Sequence, residues 1–187
     1  MTSNVYLVRH GETEWSKLGR HTGRTDVALT EEGRRGAIAL APRLREITFA
    51  AVYVSPLVRA RATCDLAGFA DHAVVDSRLA EWDYGNVEGR TSSEMQSTQP
   101  GWTIWNDGPV GGEALSDVAT RADEMIDHVR TVDGNVALFA HGHLLRILAS
   151  RWVGVEPGFA RSLALSPATI STLGIERQTP VIRTWNT

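Results

Sequence analysis

An α/β fold is what this sequence predicts: a three-layer α/β/α sandwich with a mainly parallel central sheet and helices on both faces. Three observations predict it. Short β-branched and aromatic runs recur at 5–8, 51–54, 136–140 and 170–173. Stretches with helical spacing lie between them, and strands alternating with helices build parallel sheets covered on both sides. The 187 residues are 42% hydrophobic with a net charge of only −3, enough apolar material for one domain with a sizeable core and far from disordered composition.

Taken in order, the run Val5-Tyr6-Leu7-Val8 is a buried strand. Leu29-Thr30-Glu31-Glu32-Gly33 is a helix entry with Thr30 as N-cap and acidic residues in the first turn. That helix is expected to reach about Glu46, with Pro42 as a kink or early end. A second helix over 57–67 is opened by Ser55-Pro56. A third over 116–132 places Val118, Ala122, Met125, Ile126 and Val129 on one face, and a fourth covers 144–153. The segment 79–112, rich in Gly, Ser, Thr and Trp, offers only a short helix near 92–99. It reads as a lid or binding wall inserted into a single domain spanning 1–187.

The near-neutral charge carries no electrostatic footprint for nucleic acid. No apolar run is long enough for a membrane span, and the N-terminus lacks a secretory pattern, so the expected location is cytoplasmic. Cys64 is the only cysteine, so no intrachain disulfide can form, and its helical setting among small residues makes it inert core. Oligomeric state stays open, a homodimer being one option.

The chemistry begins at Arg9-His10-Gly11-Glu12, immediately after the first strand, where α/β sheets place their ligands. An imidazole flanked by a fixed cation and a glycine suits attack on phosphorus. The arginine can hold phosphate oxygens in a fork, and the glycine lets backbone approach an anion. Three further segments lie at strand ends or on the long insertion: Ser55-Pro56-Leu57-Val58-Arg59-Ala60-Arg61-Ala62-Thr63, Leu79-Ala80-Glu81-Trp82-Asp83-Tyr84-Gly85 with Glu88-Gly89, and Ala140-His141-Gly142-His143.

Together these four segments resemble, in order, the motifs of the histidine phosphatase superfamily, which includes the cofactor-dependent phosphoglycerate mutases. The resemblance implies His10 as nucleophile, Glu81 as proton donor, and Arg9, Arg59 and His141 around the transferring phosphate, with Gly142 beside them. A phosphate dianion needs several fixed positive donors, and transfer through a phosphohistidine splits one hard step into two easier ones. His10 must be neutral to attack, so a backbone carbonyl is expected to hold one ring N–H. A sugar alkoxide leaves poorly, so some group must protonate it, the role the resemblance gives to Glu81.

Bland readings stand beside these. Arg61 is as well placed on the helix exterior as in the site. Asp83 and Glu88 structure the loop, and His21, His72 and His128 are solvated. His143 either lines the pocket or caps the following helix, and Trp102 and Trp105 either pack or stack on substrate. His141 and His143 lack a third ligand, so no metal is expected.

The stretch Glu14-Trp15-Ser16-Lys17, Thr22-Gly23-Arg24-Thr25-Asp26 and Leu29-Thr30 is similar to the mutases, which usually carry asparagine at the position of Ser16. Mutases also have a longer segment where this chain has only 86–112, and that segment excludes water. A shorter one favours hydrolysis. Together with Trp102-Thr103-Ile104-Trp105-Asn106-Asp107-Gly108, the pattern resembles the sedoheptulose-1,7-bisphosphatase-type sugar phosphatases and the bacterial acid phosphatases. It implies a metal-independent phosphomonoesterase for a small phosphorylated sugar or acid, with Ser16, Thr22 and Gly23 as substrate-contacting candidates and no cofactor. The alternatives are a phosphoglycerate mutase, which would need 2,3-bisphosphoglycerate, and a non-catalytic phospho-ligand binding module.

Overall fold

In the computed structural model, which describes residues 4–187, β1 (Val5–Arg9) lies inside a six-stranded sheet. The other strands are β2 (Phe49–Val54), β3 (Ala73–Val75), β4 (Asn135–Ala140), β5 (Ile170–Glu176) and β6 (Thr179–Thr184), in the order β3-β2-β4-β1-β5-β6. The first four in that order run parallel, and β5 and β6 form an antiparallel hairpin on the flank of β1. The mainly parallel α/β architecture expected from the sequence is thus the one found.

Side chains alternate across the sheet as a pleated strand requires. Val8, Val52, Val54, Ala137 and Phe139 pack on one face with Leu40, Leu44, Ala60 and Cys64, which belong to α2 (Glu31–Arg45) and α3 (Val58–Leu66). Val5, Leu7, Val136 and Leu138 pack on the other with α6 (Leu115–Arg130) and α7 (Gly142–Trp152). The segment 79–112 joins this second face through Trp82, Tyr84, Met95, Trp102 and Ile104, and holds two short helices, α4 (Ser92–Thr98) and α5 (Ile104–Asp107). A one-turn helix, α1 (Glu14–Lys17), precedes α2.

Thr30 caps α2 as expected, its hydroxyl accepting the Gly33 N–H. Pro42 does not end the helix, which continues to Arg45. The carbonyl it deprives of a helical donor belongs to Ile38, an exposed residue, so water can take the place of the missing bond. Two strands escape the sequence reading. β3 is three residues long at the sheet edge, with Val74 and Val75 exposed. β6 begins at a hairpin whose central residues, Arg177 and Gln178, both adopt positive φ (45° and 71°) without a glycine or asparagine to announce the turn. Pro180 is tolerated because β6 is an edge strand. Among the described residues no helix is long and apolar enough to cross a membrane.

Candidate active site

Three adjacent parallel strands end together. β1 delivers Arg9 and then His10, β4 delivers His141 as the residue before α7, and β2 delivers Ser55 with Arg59 in the first turn of α3. The ends are tied by backbone bonds, His10 N–H to Ala140 at 3.0 Å and Ser55 N–H to Phe139 at 3.0 Å. The His10 and His141 rings stand 5.2 Å apart.

His10 Nδ1 lies 2.7 Å from the Gly11 carbonyl, which can only accept. The ring proton is therefore on Nδ1, and Nε2 carries the lone pair. Burial, then the Arg9 and Arg59 charges, hold this imidazole well below its ordinary range, outweighing the Gly11 hydrogen bond. The expected backbone carbonyl is thus present, on a neutral ring. Gly11 also meets a packing need. A Cβ there would sit 2.3 Å from the Gly33 carbonyl oxygen, and one at Gly33 would sit 2.1 Å from that of Glu12. These glycines let the α2 N-terminus press against the turn that carries His10. The Gly11 N–H is in turn held by Thr63 Oγ1 at 2.9 Å, whose hydroxyl donates to the Arg59 carbonyl. Gly11→Ala meets backbone, with no side chain able to move aside. It is expected to cost roughly 2–3 kcal/mol, read as a lower urea midpoint at unchanged m.

Arg9 donates one terminal nitrogen, Nη1, to the Leu165 carbonyl, while Nε has no partner among the described residues. Gly142 allows this guanidinium to lie against the start of α7: a Cβ there would be 3.3 Å from it. Arg59 is wholly buried. Its Nη1 holds the Thr25 carbonyl at 3.0 Å, and its Nη2 holds those of Thr22 and Gly23 at 2.9 Å each, leaving Nε without a partner. His141 is also wholly buried. Ser55 Oγ receives the Leu57 N–H, and its only acceptor among the described residues is His141 Nε2, 2.7 Å away; donating there leaves Nδ1–H as the free donor. Burial, then Arg59, His10 and Arg9, keep that ring neutral.

Glu81 reaches the same region from the insertion. Its carboxylate accepts the N–H groups of Trp82 at 2.9 Å, Leu144 at 3.0 Å and His143 at 3.1 Å, the last two at the N-terminus of α7. Arg121 fixes the approach by donating to the Arg78 and Ala80 carbonyls at 2.8 and 3.0 Å while paired with Glu113 at 2.7 Å.

Arg9, His10 and Glu81 meet at a cavity of about 430 Å³. Arg9, His10, Glu81, Gly142, Ser16 and Thr22 line it, whereas Arg59, His141 and Gly23 do not. Gly23 is placed by structure alone, its N–H held by both Glu88 oxygens at 2.9 Å and its carbonyl by Arg59. The Ser16 hydroxyl is engaged in the α1 capping box. Asp83 and Glu88 organise the loop as expected, Asp83 through Arg24 at 2.8 Å. Arg61 is exposed on α3, and Cys64 is buried, its thiol pushed up to about 12 by burial and then Asp65. His21 is a correction: it is buried in the site rather than solvated, because Trp102 packs edge-on against it at 5.7 Å and Tyr84 at 5.0 Å. His128 bonds the Tyr53 hydroxyl at 2.9 Å.

The cavity is also lined by Arg20, Tyr84 and Arg146, which the sequence does not single out, nor does it single out Ser55 and Thr63. Ser55 and Thr63 lay inside a quoted motif. Arg146 had a helical signal, one turn after His143 on α7. Among the described residues no group of three His, Cys, Asp or Glu is placed to hold a metal ion.

The description "Histidine phosphatase superfamily (branch 1)" matches residues 5–187. The acid phosphatase of Mycobacterium tuberculosis is 38% identical over 178 residues, covering 92% of this chain and 86% of that protein. Sedoheptulose 1,7-bisphosphatase of Saccharomyces cerevisiae is 33% identical over 190 residues, covering 83% and 69%. A protein named probable phosphoglycerate mutase GpmB, from Erwinia tasmaniensis, is 32% identical over 177 residues, covering 89% and 82%. The solved structure of Rv3214 from Mycobacterium tuberculosis superposes with a TM-score of 0.91 at 35% identity, covering 98% of this chain and 97% of that one. A match over residues 5–187, supported by relatives of this similarity, shows that the chain belongs to the histidine phosphatase superfamily and is an enzyme of that group.

Proposed function

We propose that this protein is a metal-independent phosphomonoesterase that hydrolyses a small phosphorylated metabolite through phospho-His10. The observation that carries this reading is the set of three buried nitrogen atoms without a partner, Arg9 Nε, Arg59 Nε and His141 Nδ1, around a neutral His10. Buried donors are almost always satisfied, and three orphans at one set of strand ends call for an oxyanion.

In the first step the His10 Nε2 lone pair attacks phosphorus, and the bond from phosphorus to the ester oxygen breaks. The departing oxygen takes a proton from Glu81, acting as general acid. In the second step water attacks the phosphohistidine and gives a proton to Glu81. The phosphorus–nitrogen bond breaks, and inorganic phosphate leaves with His10 restored. Arg9, through Nε and Nη2, together with Arg59 Nε–H and His141 Nδ1–H, stabilises the charge on the equatorial oxygens. Positive charge at the phosphate comes from the two guanidiniums, so neither step requires a metal.

Residues 1–187 act as one domain in this reading, and 79–112 forms the wall of the leaving-group pocket. The names of the phosphatase relatives support hydrolysis, and so does the shortness of that wall. Purified protein with EDTA present is expected to release phosphate from p-nitrophenyl phosphate, and faster from its preferred ester. The panel is 3-phosphoglycerate, fructose 1,6-bisphosphate and sedoheptulose 1,7-bisphosphate. Formation of 2-phosphoglycerate that depends on 2,3-bisphosphoglycerate, without phosphate release, would assign a mutase instead. Phosphate binding with no turnover would assign a binding module.

A further inference from the structure

Beyond the phosphate end, the cavity wall carries two histidines that the proposed chemistry does not use. His21 follows α1, and His143 is the second residue of α7. Their rings are nearly parallel, at 11° and 6.2 Å between centroids, and both line the cavity. Neither Nε2 has a hydrogen-bond partner among the described residues, while both Nδ1 atoms do.

Those partners fix the two tautomers in opposite senses. His21 Nδ1 is 2.8 Å from the Arg90 carbonyl, which can only accept, so Nδ1 bears the proton and Nε2 offers a lone pair. His143 Nδ1 faces the hydroxyl of Tyr84. That phenol is almost wholly buried, and burial followed by the Glu81 charge pushes it well above its ordinary value, so it keeps its proton. His143 Nδ1 is the only acceptor it has among the described residues. His143 therefore accepts at Nδ1 and bears its own proton on Nε2. Burial in the first place keeps both rings neutral, aided at His143 by the Arg146 charge.

The wall thus carries one N–H donor and one nitrogen lone pair, on rings whose centroids are 6.2 Å apart. A hydroxyl is the group that can answer both, since it accepts and donates through one oxygen. A carboxylate could take the His143 proton but has nothing to give His21, and a hydrocarbon would leave both unpaired. Trp102 and Trp105 also line this part of the cavity, Trp105 at 4.8 Å from His143 and beneath the Arg146 guanidinium, and add apolar surface to the wall. We propose that His21 and His143 form a hydroxyl-reading pair that selects a phosphorylated polyol or sugar, a reading that rests on the phosphate site at His10 but not on turnover there.

The test is binding to the His10→Ala protein, measured by calorimetry with two four-carbon esters, erythritol 4-phosphate and n-butyl phosphate. The expected result is at least about tenfold tighter binding of the erythritol ester, as one or two satisfied hydrogen bonds imply. Adding His143→Phe should reduce that ratio to below about threefold, and adding His21→Leu should do the same independently. His143→Asn, which retains a donor, should restore part of it. Equal binding of the two esters, or a ratio untouched by both substitutions, would overturn the proposal. Turnover of p-nitrophenyl phosphate by the unaltered protein reads the phosphatase reaction separately, so one reading can fail without the other.

Discussion

Replacing His10 with alanine is expected to lower kcat by on the order of 10⁴-fold or more, the scale seen when a covalent nucleophile is removed. The basis is geometric. Among the described residues His10 is the imidazole that lines the cavity and carries a free lone pair near the Arg9 and Arg59 charges and the orphaned donors Arg9 Nε, Arg59 Nε and His141 Nδ1, whereas the Ser55 hydroxyl beside His141 is wholly buried outside the cavity. Rapid quenching into alkali during turnover of a radiolabelled ester should trap phosphate on the unaltered chain and none on His10→Ala. Circular dichroism checks that the variant is folded. Retained activity, or label on another residue, would overturn the assignment. A pH consequence follows from the same environment. Because burial and the two arginines hold His10 well below its ordinary range, the free enzyme keeps a competent nucleophile as pH falls through 6.5 and beyond. The acid limb of kcat/KM is therefore expected well below the value of an ordinary histidine.

The parallel core and the strand-end residues were legible because each rests on local pattern. The run into Arg9-His10 and the run into Ala140-His141 both end at the carboxyl end of a parallel sheet, and parallel pairing of β1 with β4 brings them together without further instruction. Glu81 could be ranked above Asp83 and Glu88 only by resemblance to a family. In the structure what distinguishes it is three backbone N–H groups, two of them at a helix start 62 and 63 residues away. Nothing in the local sequence encodes that. His21 was misjudged for the same reason. It sits in a polar stretch, and its burial depends on Tyr84 and Trp102 arriving from the insertion. β6 was missed because its turn uses Arg177 and Gln178 at positive φ, a conformation set by the pairing of β5 with β6 rather than by turn-forming residues.

Acid is expected to destabilise this protein steeply, beginning near pH 6.5, and phosphate should oppose the effect. Four imidazoles, His10, His141, His143 and His21, are held below their ordinary range, with burial the largest cause in each. In the unfolded chain each would take up a proton near 6.5. In the folded chain each stays neutral to lower pH. Between those limits the unfolded state binds more protons, so stability falls as pH falls, whereas above 6.5 the contribution is constant. Each fully neutral imidazole adds a slope of about 1.4 kcal/mol per pH unit, so the three held furthest down add about 4 kcal/mol per unit. A domain stable by roughly 5–15 kcal/mol cannot sustain that over many units. Asp76, lowered chiefly by its Arg78 hydrogen bonds, and Glu113, where Arg121 and the Asp83 N–H outweigh burial, lose their contributions only in the carboxylate range. They cannot account for a loss that starts at 6.5. A phosphate dianion beside His10 and His141 favours their protonated forms and so reduces the slope. Urea midpoints at pH 7, 6 and 5, in phosphate and in chloride of equal ionic strength, measure both effects. The midpoint should drop between pH 7 and 5, less so in phosphate, and His10→Ala should flatten the chloride slope by one imidazole. A midpoint flat from pH 7 to 5 would mean that these rings are not held neutral, and with it the donor and acceptor roles assigned to His141, His143 and His21 would lose their basis.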